Sequence, residues 1–303
     1  MIYGLMIAFV PLFLGYLFRI SNQILLQWVN RITMYCLYLI LLIMGISLGQ
    51  LDELTTKLPQ IGAIAFGLTA ILHGCNIIAL VVFDKLYPMA RSTHRLEDLP
   101  SRWKVLSESL QLCLTVFVGA LFGFFSKGII DFPLHSSTYV LVVMIFCVGI
   151  QLRNSGIPLK EVFLNKRGIF TSLVFMGSGL IGGVIASYLL DLPLIRALAL
   201  ASGFGWYSLS SVLVNDAWGA VYGSIAFFND LSREIFCLFA IPFFMRFFPS
   251  TAVGLGGATS LDATLPIIQK TGGIQIVPLA ISFGFIVNLV VPILLAFFIG
   301  LGK

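Results

Sequence analysis

The stretch AWGAVYGSIAFFNDLSREIFCLFAIPFFMRF, Ala217 to Phe247, decides how the rest of the chain is read. It is long enough to cross a bilayer core, which asks for about 20 apolar residues, yet Asn229, Asp230, Arg233 and Glu234 lie near its middle. An ionised side chain at that depth costs at least about 2.5–3.5 kcal/mol on insertion scales, so each one needs a reason to be there. Residues three and four apart share a helical face, which lets Arg233 neutralise Asp230 with Glu234 beside them as a second acid. Asp230, Arg233 and Asn229 then form either a structural network or part of a site, and Glu234 is the acid to assign to a cargo.

The pattern repeats outward in both directions. Of 303 residues 59% are hydrophobic and 10% charged, where a soluble domain carries roughly 25% charged residues. Spanning-length apolar runs fall at 2–18, 32–49, 58–83, 101–125, 134–152, 168–190, 193–214, 217–247, 250–270 and 274–300. The expected fold is an all-α integral membrane protein of about ten transmembrane segments, one transporter domain over 1–303. The first run has no basic n-region and no small-residue cleavage site, so it reads as a retained span.

Lys and Arg set the orientation. Arg19 and Arg31 follow the first run, Lys85 to Lys104 the third, and Arg153 to Arg167 the fifth, so this side is expected to be cytoplasmic and the N-terminus outside. The longest polar loop is read from Asp84 to Lys104. Five runs on each side of the break give halves of opposite orientation, the condition for inverted repeats at 1–152 and 168–303. The net charge of +5 belongs to these loops and implies no nucleic acid. Five scattered cysteines and three histidines have no metal spacing, so neither metal nor cofactor is expected.

Within the ninth run, the stretch Gly254 to Pro266 is too rich in glycine and hydroxyls for a continuous lipid-facing helix. Gly256 and Gly257 are expected to break it near mid-membrane, with Thr259, Ser260 and Asp262 on a cavity wall. A half-helix N-terminus there attracts a carboxylate. The seventh run has a second interruption, where Trp206 and Tyr207 serve either a cation–π site or helix packing. Glu108 in the fourth run is a third acid, placed like Asp262 in its half, unless it lies close enough to the interface to be hydrated. Gly119 with Gly123, Gly179 with Gly183, and Gly219 with Gly223 have the spacing of helix packing.

Together LLIMGISL (41–48), GIQLRN (149–154), ASGFGWYSLS (201–210), AFFNDLSRE (226–234) and GATSLDATLP (257–266) resemble the bacterial L-lysine exporter family LysO over nearly the whole chain. The resemblance implies a secondary transporter, not an enzyme, that exports L-lysine and toxic analogues such as thialysine across the inner membrane. It also implies two inverted five-span repeats with broken crossing helices, and matches the family's intramembrane acids to Glu234 and Asp262. Proton antiport is the simplest coupling, with sodium as the alternative ion. Membrane lipid is the further partner and a homo-oligomer is admitted. Two rivals use the same acids: a cation–proton antiporter or channel not specific for amino acids, and an intramembrane aspartyl protease. The second is disfavoured because Asp230 follows Asn229 and Asp262 follows Leu261, whereas such proteases carry Tyr-Asp and Gly-x-Gly-Asp.

Overall fold

The computed structural model of the chain describes residues 2–20, 22–51, 54–89, 102–127, 136–154 and 165–302. Most of the expected loop at 84–104, and the segment 155–164, lie outside the described residues. Every regular element among those described is helical: α1 Ile2–Tyr16, α2 Gln23–Gly49, α3 Leu54–Leu86, α4 Arg102–Phe125, α5 Ser136–Asn154, α6 Lys166–Leu189, α7 Leu194–Ala201, α8 Tyr207–Trp218, α9 Ala220–Met245, α10 Pro249–Gly256, α11 Leu265–Gly272 and α12 Val277–Leu301. Short 3-10 turns occupy Gly257–Leu261 and Ile274–Ile276.

Four helical stretches are both long and apolar enough to cross a bilayer: Gln23–Gly49, Thr56–Leu86, Lys166–Leu189 and Ile274–Leu301. Large apolar side chains such as Phe66, Ile78, Phe117, Ile181 and Phe243 cover the outside, a surface that suits lipid and not water. The protein is a multi-pass membrane protein. Two boundaries differ from the apolar runs. The helix α2 starts at Gln23, where the Asn22 side chain caps the Ile24 amide, so Arg31 is helical and stacks on Trp28 at 5.3 Å. Asp84 is not in a loop but buried within α3.

Small residues set the closest approaches. A Cβ on Gly119 or Gly123 would overlap a carbonyl of α2, and one on Gly183 would press on Ala201, as expected for packing glycines. Gly219 departs from that expectation. Nothing lies within 4 Å of its would-be Cβ, and at φ 83° it is the turn that joins α8 to α9.

Side-chain pairs fix the direction of each helix. The helices α3 and α6 are antiparallel, with Gly67 at Leu190, Asn76 at Ser178 and Asp84 at Arg167. The helix α9 runs parallel to α3, because Thr69 meets Asn229 and His73 packs edge-on against Phe236. Since Gly183 meets Ala197 and Ala201 while Gly179 meets Phe204, α7 is antiparallel to α6. The helix α8 returns along α9, pairing Ser210 with Asp230 and Asn215 with Gly223. So α7 and α8 form a hairpin, and Ile195 and Trp218 at its feet both abut Gly302.

A second hairpin enters from the opposite end. Thr251 meets Asp84 and Gly254 meets Leu80, so α10 is antiparallel to α3, and α11 turns back until Gly272 reaches Met245 at the end of α9. The seventh and ninth apolar runs therefore do not cross. A helix of eight residues is about 12 Å long, less than half a bilayer core, and each run folds back at its break. By contrast α4, which the count sets opposite the ninth run, is unbroken.

Candidate functional site

The two tips meet in the middle of the bundle. In the first, Ser202 to Trp206, Phe204 is held at φ 49° and Gly205 at φ 96°. Its Phe204 carbonyl accepts the Ala258 amide of the second tip at 2.9 Å. Glycine is required at 257: φ is 57°, and a Cβ would overlap that same carbonyl. The end of α10 is closed locally. Ser260 Oγ donates to the Val253 carbonyl, the Gly257 amide to Gly254, Cys237 Sγ to Leu255 and Thr259 Oγ1 to Gly256, so all four terminal carbonyls have partners. Ser260 is fully buried by this bond, and Gly256 leaves room for the Ser260 and Thr264 hydroxyls.

On α9, Asp230 is buried and accepts from the Gly205 amide (3.1 Å), Ser210 Oγ (2.5 Å) and Asn229 Nδ2 (3.1 Å). Thr69 of α3 donates to Asn229 Oδ1 at 3.2 Å. The expected Asp230–Arg233 ion pair is not made. The Arg233 guanidinium lies 5.4 Å over the Phe175 ring, its Nε and Nη1 have no hydrogen-bond partner, and its Cδ packs where a side chain on Gly205 or Gly257 would go. Nearness in sequence made the pair possible, but donors from the first tip took Asp230 instead.

Glu234 is half-buried one turn further along α9. Tyr207 packs edge-on against Phe227 at 5.8 Å and lies within Coulomb range of both Glu234 and Asp262. A cavity of about 110 Å³ opens beside the second tip, with Trp206, Thr259, Asp262 and Asn288 as its polar or amphipathic walls. Leu12 of α1 and Val148 of α5 also line it. Asp262 is exposed there, one oxygen accepting the Ala263 amide at 2.5 Å. Of the residues singled out from sequence, Trp206, Thr259 and Asp262 share this cavity, Tyr207 follows Trp206 and lies within the influence of both Asp262 and Glu234, and Asn229, Asp230 and Arg233 lie among the tip contacts. Gly256, Gly257 and Ser260 shape the turn. The Glu108 side chain lies outside the described residues.

Sequence reasoning passed over Asn288, whose Nδ2 holds the Ala258 carbonyl at 2.7 Å while the residue lines the cavity. A lone amide in an apolar run was the available signal. It also missed Asp84, which accepts from the Ser250 and Thr251 amides, the Thr251 hydroxyl and Arg167, and so anchors the foot of the second hairpin.

The family model for the lysine exporter LysO matches residues 113–299. The lysine exporter LysO of Escherichia coli (strain K12) is 48% identical over 296 residues, covering 97% of this chain and 98% of that protein. A putative lysine exporter of Haemophilus influenzae is 56% identical over 188 residues, 62% of this chain and 96% of the relative. No solved structure matches the chain.

Proposed function

The chain belongs to the lysine exporter family LysO, and from that membership we propose that it carries L-lysine outward across the bacterial inner membrane by proton antiport. One observation supports this most: Asp262 is an acid exposed to a cavity deep in the bundle, at the break of a hairpin. Lysine at neutral pH has two ammonium groups and one carboxylate. In this reading Asp262 and Glu234 take the ammonium groups, and the first turn of α11 attracts the carboxylate through its dipole. Apolar walls at Leu12, Val148 and Phe285 suit the methylene chain. Thialysine has the same ends and passes the same test.

Moving a monovalent cation outward against an inside-negative potential costs about 2.3 kcal/mol per 100 mV, so export against a gradient needs a driving ion. Each acid holds either a proton or an ammonium, and competition between them couples the two flows. Arg153, Lys166, Arg167, Arg246 and Lys270 lie at the end of the bundle assigned to the cytoplasm, which leaves the start of α1 and the end of α12 outside.

Counterflow of labelled L-lysine into proteoliposomes tests the reading. Uptake should require unlabelled lysine inside, and net lysine efflux from loaded vesicles should be accompanied by proton entry. Proton or sodium flux that ignores lysine altogether would replace this reading with that of a general cation antiporter or channel.

A further inference from the structure

We infer that Asp230 and Arg233, which make no direct ion pair, serve as counter-charges to different hairpins, and that α9 uses them to hold the two tips together. Re-entrant hairpins bring helix ends of both signs into buried surroundings, where charges are screened less than at the surface. The N-terminus of α8 carries a partial positive charge and the C-terminus of α10 a partial negative one. Asp230 sits at the first of these ends. Its Oδ1 takes the Gly205 amide and Asn229, its Oδ2 takes Ser210 Oγ from the opening turns of α8, and it fills the space where a Gly203 side chain would go.

Arg233 sits at the second. Its aliphatic stem threads between Gly205 and Gly257, the residues that turn the two tips. The four final carbonyls of α10 are already satisfied by Ser260, Gly257, Cys237 and Thr259, so none of them needs a hydrogen bond from the guanidinium. What Arg233 contributes there is its charge: at 2% exposure, with Nε and Nη1 making no hydrogen bond, the cation is supported by the field of the helix end together with the through-space attraction of Asp230. The Phe175 ring face supports the same cation from the other side. Because 230 and 233 are one turn apart on one rigid helix, a single strut sets both tips at the spacing that lets Phe204 accept from Ala258. These are positioning residues: they act on Trp206, Thr259 and Asp262 through the tips that carry them.

The test reads amide hydrogen exchange of the purified protein in nanodiscs without lysine, so it stands apart from the identity of the cargo. The segments are 203–210 and 254–262. Asp230→Asn and Arg233→Gln should each speed exchange at the tips about tenfold, and the double variant should exchange faster than either single one but short of the product, because residues one turn apart are not fully additive. The swap Asp230→Arg with Arg233→Asp should be no better protected than the double neutral variant, since each charge then faces the wrong helix end. Arg233→Lys, which keeps the charge, should stay within about threefold of wild type. Ser210→Ala, a milder change that removes one donor from Asp230, should quicken 203–210 about threefold. A double variant no faster than its faster parent, a swap that restores wild-type protection, or Ser210→Ala without effect at 203–210 would each return the two residues to a plain ion pair or to passive packing.

Discussion

The two hairpins share an element order, a short half-helix, a turn at a positive-φ glycine and a second half-helix, but their tips differ in what they leave open. The first tip is closed. Ser202, Gly203, Phe204 and Gly205 are all buried, and the acid beside it, Asp230, has three donors. The second tip is closed through Ser260 but open from Asp262, where the chain leaves the 3-10 turn and Asp262 and Ala263 are exposed. The difference assigns the work. A carboxylate whose hydrogen bonds are all filled by protein has nothing to offer a cation, whereas one facing a cavity does. Asp230 was a site candidate by depth alone, and depth is shared by both acids; the state of the lone pairs separates them.

The largest test of that contrast is Asp262→Asn. It keeps size and removes the charge, so lysine efflux from preloaded vesicles should fall to background with the protein at normal abundance; Glu234→Gln should behave likewise. Wild-type efflux in either variant would remove that acid from the site. Next comes the foot of the second hairpin, where Asp84→Asn weakens the bond to Arg167 and the hold on the Ser250 and Thr251 amides. Removing one partner of a buried pair costs about 3–5 kcal/mol, and with Arg167 partly exposed the loss should lie nearer about 2, read as lower thermal stability and not as altered lysine affinity.

A smaller effect should separate the turns themselves. Gly257→Ala meets both a positive φ and the Phe204 carbonyl, while Gly219→Ala meets the positive φ and open space. Backbone strain of this kind costs about 1–3 kcal/mol, so Gly219→Ala should be the milder of the two in melting temperature, and only Gly257→Ala should also slow export. The smallest is Thr259→Ala at the cavity wall. It deletes one hydrogen bond to the Gly256 carbonyl, worth about 1 kcal/mol, and should raise the apparent KM for lysine a few-fold with little change in maximum rate. A collapse in rate would mean that Thr259 takes part in the turnover step itself.

Several features of the site could be read before any fold was known. The glycine and hydroxyl cluster at 254–266 announced a break, because such residues cannot form a continuous lipid-facing helix, and the break is there. The acids stood out because charge is costly in an apolar run. Asn288 and Asp84 carried weaker signals, an amide among apolar residues and an acid near a run's end, and only their contacts with the second hairpin gave them roles.

Sequence by itself determined that this is a multi-pass helical membrane chain, where its apolar runs lie and which of them are interrupted, because composition and run length respond to the bilayer directly. Tertiary structure decided the rest. A broken run of about twenty residues has the same composition whether it crosses or turns back, and the contacts of Gly302 with Ile195 and Trp218, and of Gly272 with Met245, show that these two turn back. It also decided which donors reach Asp230. Helical spacing allows Arg233 as a neighbour, but the first tip, brought in from residues 203–210, supplies closer hydrogen bonds, and no pattern local to α9 contains that information.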